Sequence, residues 1–452
     1  MVSMISTKFH YLNLLKISII FFLIGMLTRS IARGPAAMLE YALIFLLLFI
    51  SLIYLSENME VKKKNTLYFL AFLLYFLVHA VVTIFLRSYE LQMPLLDMLY
   101  YNFTEFRLST IGYFLPLVFI PIQNINLEKF EKFLVTLLKI SIIYSIFEQV
   151  LSLLGFRNLF EFLYQNTGAM KLEDDLRNEI GNRSLGMYRI LGFIGSPQLL
   201  GVFHLIGFVY MLQQRDKFWS YLAILAVFLS TSKTAIVSAI IIMFIYFIHK
   251  RKYLLFFAST FITLSIVIFS FQFYFHIVEY PSGQYDYPLF THFMGSLYGY
   301  LLLLVNTAEF GSPTGFIEGG PLQKFIAYFA HNPLEVFFGK GPTYAIGFQA
   351  VINTKIEKYY YLGADFYFLS FIEQYGIIGF ALLVYIFLYY PLKKIIFSSS
   401  SMYFYYIPIV LFLAMFHYPP VISKLIMIFA AYPIWKIYLQ PSIDKKLTEK
   451  MI

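Results

Sequence analysis

Seven side chains are of the types, and in the settings, that handling an anionic ligand at a membrane would need. Lys233 lies in "LSTSKTAIVSAI" (229–240), a charge inside about thirty otherwise apolar residues. Left in hydrocarbon, such a charge costs about 2.5 to 3.5 kcal/mol or more, so Lys233 should face a water-filled or anion-filled recess; the alternative is snorkelling to the interface. Arg189 opens the apolar, glycine-bearing "RILGFIGSPQLLG" (189–201), and Arg183 precedes it. Arginine presents a planar fork of donors suited to phosphate oxygens. In "AHNPLEVFFGKGP" (330–342) His331 can take a proton near neutral pH, and Lys340 adds a cation between two glycines. "GADFYFLSFIEQYGIIGF" (363–380) sets Asp365 where a carboxylate can be an N-cap or a base, with Glu373 about two turns deeper.

The elements that must carry these residues span a membrane. The 452 residues are 60% hydrophobic and 20% aromatic, far above the roughly half-apolar usage of soluble domains. Helices are expected near 11–28, 36–55, 66–86, 107–122, 134–154, 190–212, 219–230, 234–248, 253–276, 366–390, 401–417 and 421–438. That is an all-α polytopic integral membrane protein of about twelve crossings in a single embedded domain, 1–452. The run 11–27 is read as a first helix and not a signal peptide, since no small-residue cleavage site follows.

The connections "VKKK", "LEKFEK", "RDK", "HKRK" and "LKK" and the tail "DKKLTEK" are basic and alternate, which puts both termini in the cytoplasm. "RDK" and "HKRK" then share a side, so the stretch between them must be a hairpin. Its arms of about 12 to 15 residues reach only about 18 to 22 Å, and the turn "TSK" stops below the outer surface.

The same parity turns two long segments outward, about 155–189 and 278–364, where 293–305 and 321–338 are expected as helices lying on the outer leaflet. Eight of ten arginines also fall outside: Arg29, Arg33, Arg87, Arg107, Arg157, Arg177, Arg183 and Arg189. They suit either a phosphorylated ligand or, for Arg177 and Arg183, pairing with "LEDD" and Glu179. Glu40, Lys139, Glu148 and His204 are scattered over different helices, which favours structural pairing over a proton relay.

The net charge of +9 follows from topology and not from nucleic acid. With no cysteine there is no disulfide or thiolate chemistry, and no metal set at diagnostic spacing occurs.

Three segments in order, "RILGFIGSPQLLG", "STSKTAIVSAI", and "HNPLEVFFGKG" with "ADFYFLSFIEQYGIIGF", resemble the O-antigen polymerase and ligase superfamily. The resemblance implies a GT-C-like membrane glycosyltransferase of the bacterial inner membrane, without cofactor or metal. Its donor and acceptor would be oligosaccharides on undecaprenyl diphosphate, joined on the periplasmic face. Carried over, Arg189 and Lys233 match basic positions that hold the donor diphosphate, with Arg183 and Lys340 as further cations, and His331, Asp365 or Glu373 as base. The hairpin cation is lysine where arginine is common in the family. Asp365 stands where ligases tend to have histidine, which favours a polymerase; a ligase and a lipid-linked oligosaccharide flippase are the alternatives. A polysaccharide chain-length regulator would be a further partner of such an enzyme.

Overall fold

The computed structural model describes residues 2–58, 64–91, 94–105, 110–122, 127–157, 159–160, 188, 190–278, 333–339, 341, 367–397, 402–416 and 420–440. Helix is the regular structure throughout these residues. In chain order they form α1 (Val2–Leu23), α2 (Gly25–Asn58), α3 (Lys64–Leu91), α4 (Leu95–Glu105), a 3₁₀ helix (Ile111–Ile122) and α5 (Glu128–Leu151). Then come α6 (Pro197–Gln213), α7 (Lys217–Leu229), α8 (Lys233–His249), α9 (Tyr253–Val278) and α10 (Pro333–Phe338). The last are α11 (Tyr367–Phe397), α12 (Tyr406–Ala414) and α13 (Lys424–Tyr438).

A helix stands at each of the twelve expected positions. Among the described residues four stretches are long and apolar enough to cross a bilayer alone: Gly34–Leu55, Asn65–Phe85, Glu128–Phe156 and Tyr367–Phe397.

Burial separates the helices into two kinds. The 3₁₀ helix is buried at every residue, α6 is buried from Leu200 to Met211, and α12 and α13 are nearly so. These four make the centre. Around them α2, α3 and α9 leave large apolar side chains outside, among them Phe49, Leu74, Phe85, Leu254 and Phe261. A helix apolar on both its packed and outer faces fits a hydrocarbon surround.

The 3₁₀ winding has a local cause. "IGYFLPLVFIPI" carries Pro116 and Pro121, which have no N–H for an α-type bond, and Gly112 lets Val421 and Met427 close in.

The helices are tied at a lysine-rich end. Glu131 of α5 accepts from Gln214, Tyr432 and Lys436, at 2.6, 3.1 and 2.6 Å. Lys139 pairs with Asp216 at 2.8 Å and lies 4.9 Å from the Trp219 ring. Asn65 donates to the Tyr390 hydroxyl at 2.6 Å, and His249 meets Tyr406 at 2.9 Å. At the opposite, far end Glu40 takes both Arg29 and Lys424, and Lys424 sits over the Tyr41 ring at 3.8 Å.

Three boundaries differ from the sequence reading. α6 begins at Pro197 and not 190, because Gly192 (φ 55°) and Gly195 (φ 75°) turn the preceding residues out of helix. α4 was not anticipated. α10 starts at Pro333; residues 293–305 and 321–332 lie outside the described residues.

Candidate functional site

The expected hairpin is present. α7 and α8 are 13 and 17 residues long, joined by Ser230, Thr231 and Ser232. The sequence "STS" builds this turn from its own hydroxyls. Ser230 Oγ donates back to the Val227 carbonyl at 2.6 Å, closing α7, and Ser232 Oγ accepts from the Ala235 N–H at 3.3 Å, capping α8.

Between them Thr231 adopts φ 52°. A β-branched residue there is strained by roughly 1 to 3 kcal/mol. Its hydroxyl is buried and has no hydrogen-bond partner among the described residues. Lys233 follows as the first residue of α8, half-buried, at the positive end of a 17-residue helix.

Counting helical rise from His249, Lys233 stands about 24 Å above the lysine-rich end. That is short of the roughly 30 Å of a bilayer's hydrocarbon core.

The segment that begins at Ile190 is folded onto this tip. Gly201, in the second turn of α6, abuts the Ala235 side chain, the Ser230 hydroxyl and Ser232; a Cβ there would meet them at 2.5, 2.6 and 3.2 Å. The turn ahead of α6 is anchored to α5. Both carboxylate oxygens of Glu148 accept backbone N–H groups, from Leu191 and Gly192, each at 2.9 Å. Arg157 reaches the same carboxylate at 3.3 Å, and Phe193 stacks on Tyr144 at 4.4 Å. A buried carboxylate is thereby met by a cation and two amides, as burial requires.

Next to Glu148, Gln149 is buried with neither amide atom partnered among the described residues, and Ser152 Oγ is in the same position one turn on. Unmet amide and hydroxyl groups beside the tip suit a ligand rich in hydroxyls.

Glu373 lies on α11, where the helix breaks. Gly376 (φ 68°, ψ 178°) interrupts the ladder and releases the carbonyls of Gln374 and Tyr375. These are taken by residues far away in the chain: Gly341 N–H donates to Gln374 O at 3.0 Å, and Tyr75 OH to Tyr375 O at 2.5 Å. His79 Nε2 meets the Phe338 carbonyl at 2.7 Å, so Nε2 carries the proton.

Gly339 (φ 72°) and Gly341 (φ 92°) let this loop lie flat on α11, with Gly339 against the Gln374 backbone and Gly376 against the Phe337 carbonyl. The glycines flanking Lys340 are therefore docking residues, and α10 lies along α11 with its Phe338 carbonyl on His79 of α3. α12 joins the two regions, packing on α8 and on the π-turn of α11 at Tyr385–Tyr389, while its end accepts Phe368 N–H on Met415 O at 3.0 Å.

Of the seven expected site residues, Lys233 and Glu373 are described, on α8 and α11. Arg183, Arg189, His331, Lys340 and Asp365 lie outside the described residues. Two of the outward arginines, Arg29 and Arg157, are engaged by buried carboxylates. Glu40, Lys139, Glu148 and His204 are all paired structurally, His204 Nε2 with Ser145 Oγ at 2.9 Å. Sequence reasoning missed Thr231 and Gln149. Gln149 was findable, as a second polar residue beside Glu148 in an apolar run; the strain at Thr231 was not.

No protein-family model, curated protein or solved structure matches this chain.

Proposed function

We propose that this chain is a membrane glycosyltransferase that polymerises oligosaccharide repeat units carried on undecaprenyl diphosphate, in the manner of an O-antigen polymerase. In this reading the twelve helices cross the bacterial inner membrane, both termini are cytoplasmic, and the hairpin tip opens to the periplasm. The observation that carries it is the short-armed hairpin, which holds Lys233 at a helix N-terminus on arms of 13 and 17 residues, too short to cross about 30 Å of hydrocarbon.

The chemistry asks little else. As the acceptor hydroxyl attacks the donor's anomeric carbon, the bond from that carbon to the diphosphate oxygen breaks with inversion, and the lipid diphosphate departs. Lys233, with Arg189, Arg183 and Lys340, would stabilise the departing charge more than the ground state. One of His331, Asp365 or Glu373 would take the hydroxyl proton. Gln149, Ser152 and Thr231 would offer hydrogen bonds to sugar hydroxyls.

Purified protein incubated with a synthetic diphosphate-lipid oligosaccharide should yield a mass ladder of repeats. Lys233→Ala should slow elongation about 10²-fold, the loss of one charge-stabilising donor, and Lys233→Arg should keep most of it. A ladder unchanged in Lys233→Ala, or donor moved across a vesicle with no new glycosidic bond, would overturn the reading.

A further inference from the structure

A cavity of about 380 Å³ opens at the lysine-rich end, far from the hairpin tip, lined by Asn65, Tyr385, Tyr389, Tyr390, Lys393, Lys394 and Phe397. We infer that it binds the headgroup of an anionic glycerophospholipid. This rests only on the chain being membrane-embedded and is independent of glycosyl transfer.

The charge points to an anion. Lys139, Lys424 and Lys436 each have a carboxylate partner, whereas Lys393 and Lys394 have none among the described residues. Instead the two lie 5.8 Å from the rings of Tyr389 and Tyr390, which hold them at the cavity without neutralising them. Among the described residues no acidic side chain lines the cavity, and these two lysines bring it a charge of +2.

The surroundings point to a lipid and not a free ion. The rim carries Phe397, 82% exposed, and Tyr389, 52% exposed, next to exposed Ile396. Aromatic side chains with one apolar and one polar end belong at the headgroup level, and a basic pocket between helices there is the recognised form of an anionic-lipid site. Polar groups complete it: the Asn65 amide, already turned to the Tyr390 hydroxyl, and the Tyr385 and Tyr389 hydroxyls could receive a glycerol or phosphate oxygen. The size falls in the range of roughly 300 to 1,000 Å³ usual for small-ligand sites.

The test uses delipidated full-length protein, with phosphatidylglycerol, phosphatidylcholine and inorganic phosphate as separate probes, read by native mass spectrometry and by melting temperature. Phosphatidylglycerol should be retained and should raise the melting temperature, while phosphatidylcholine and phosphate should not. Lys393→Gln combined with Lys394→Gln should weaken phosphatidylglycerol retention by about tenfold to thirtyfold; Lys129→Gln, an exposed lysine at the same end, should not. Equal retention of both lipids by the wild type, a shift given by phosphate alone, or full retention in the double variant would overturn the inference. The wild-type arms decide it even if the double variant does not fold.

Discussion

At the scale of single residues, close approach decides more than charge. Gly201 and Gly207 sit two turns apart on the same buried helix, yet they differ in what surrounds them. A methyl at Gly201 would meet Ala235 at 2.5 Å and Ser230 Oγ at 2.6 Å, whereas at Gly207 the nearest neighbour is Leu138 at 3.7 Å. Gly201→Ala should therefore push α6 off the hairpin tip and cost about 1 to 3 kcal/mol. Gly207→Ala should be near neutral or mildly stabilising, since alanine is the better helix former. Thermal unfolding of both variants in one detergent checks this, and equal melting temperatures would contradict the packing described. The sequence shows Gly201 only as one of three glycines in "RILGFIGSPQLLG"; that Ser230 and Ala235 approach it is a property of the fold.

Among elements, the connections between helices are determined by short-range chemistry. Arg215, Thr231 and Arg251 all take positive φ, 59°, 52° and 54°, and each closes one of three successive turns in α6 to α9. That places a left-handed residue after each helix without using glycine. In the first of these turns Asp216 caps α7, accepting Trp219 N–H at 3.3 Å, and pairs with Lys139. The Lys139 hydrogen bond holds its carboxyl below the usual range. A lowered folded-state value stabilises above the unfolded-state value, about 3.9, and that stability is lost as pH falls below it. Asp216→Asn should thus lower the melting temperature by a constant amount above about pH 5, and the gap to wild type should close toward pH 3. Parallel curves through that interval would refute the assignment. The turns between α6 and α9 were legible because "RDK" and "HKRK" interrupt the apolar runs on either side of them. α4, at Leu95–Glu105, was not legible, because it lies on the outside of α3 with an apolar pattern too short to separate from a loop.

Over the whole molecule, the two ends are distinct and testable. The chain contains no cysteine, so single cysteines report accessibility without background. Asp97→Cys on α4 lies beyond the far end of α3, and Lys252→Cys follows the turn at Arg251 at the other end; both positions are exposed. A membrane-impermeant maleimide added to intact spheroplasts should label Asp97→Cys and leave Lys252→Cys unlabelled until the membrane is opened. Labelling of both from one side would mean that the ends do not face opposite compartments. The sequence alone determined the membrane class, the positions of twelve helices and the existence of the hairpin, because hydropathy, run length and terminal charge act within a few residues of chain. Only the tertiary structure decided which helices form the centre, where α6 starts, and that the glycine loop docks on α11. Those outcomes depend on partners distant in sequence: the carbonyls released at Gly376 are acceptable in a buried place only because Gly341 and Tyr75 arrive to satisfy them.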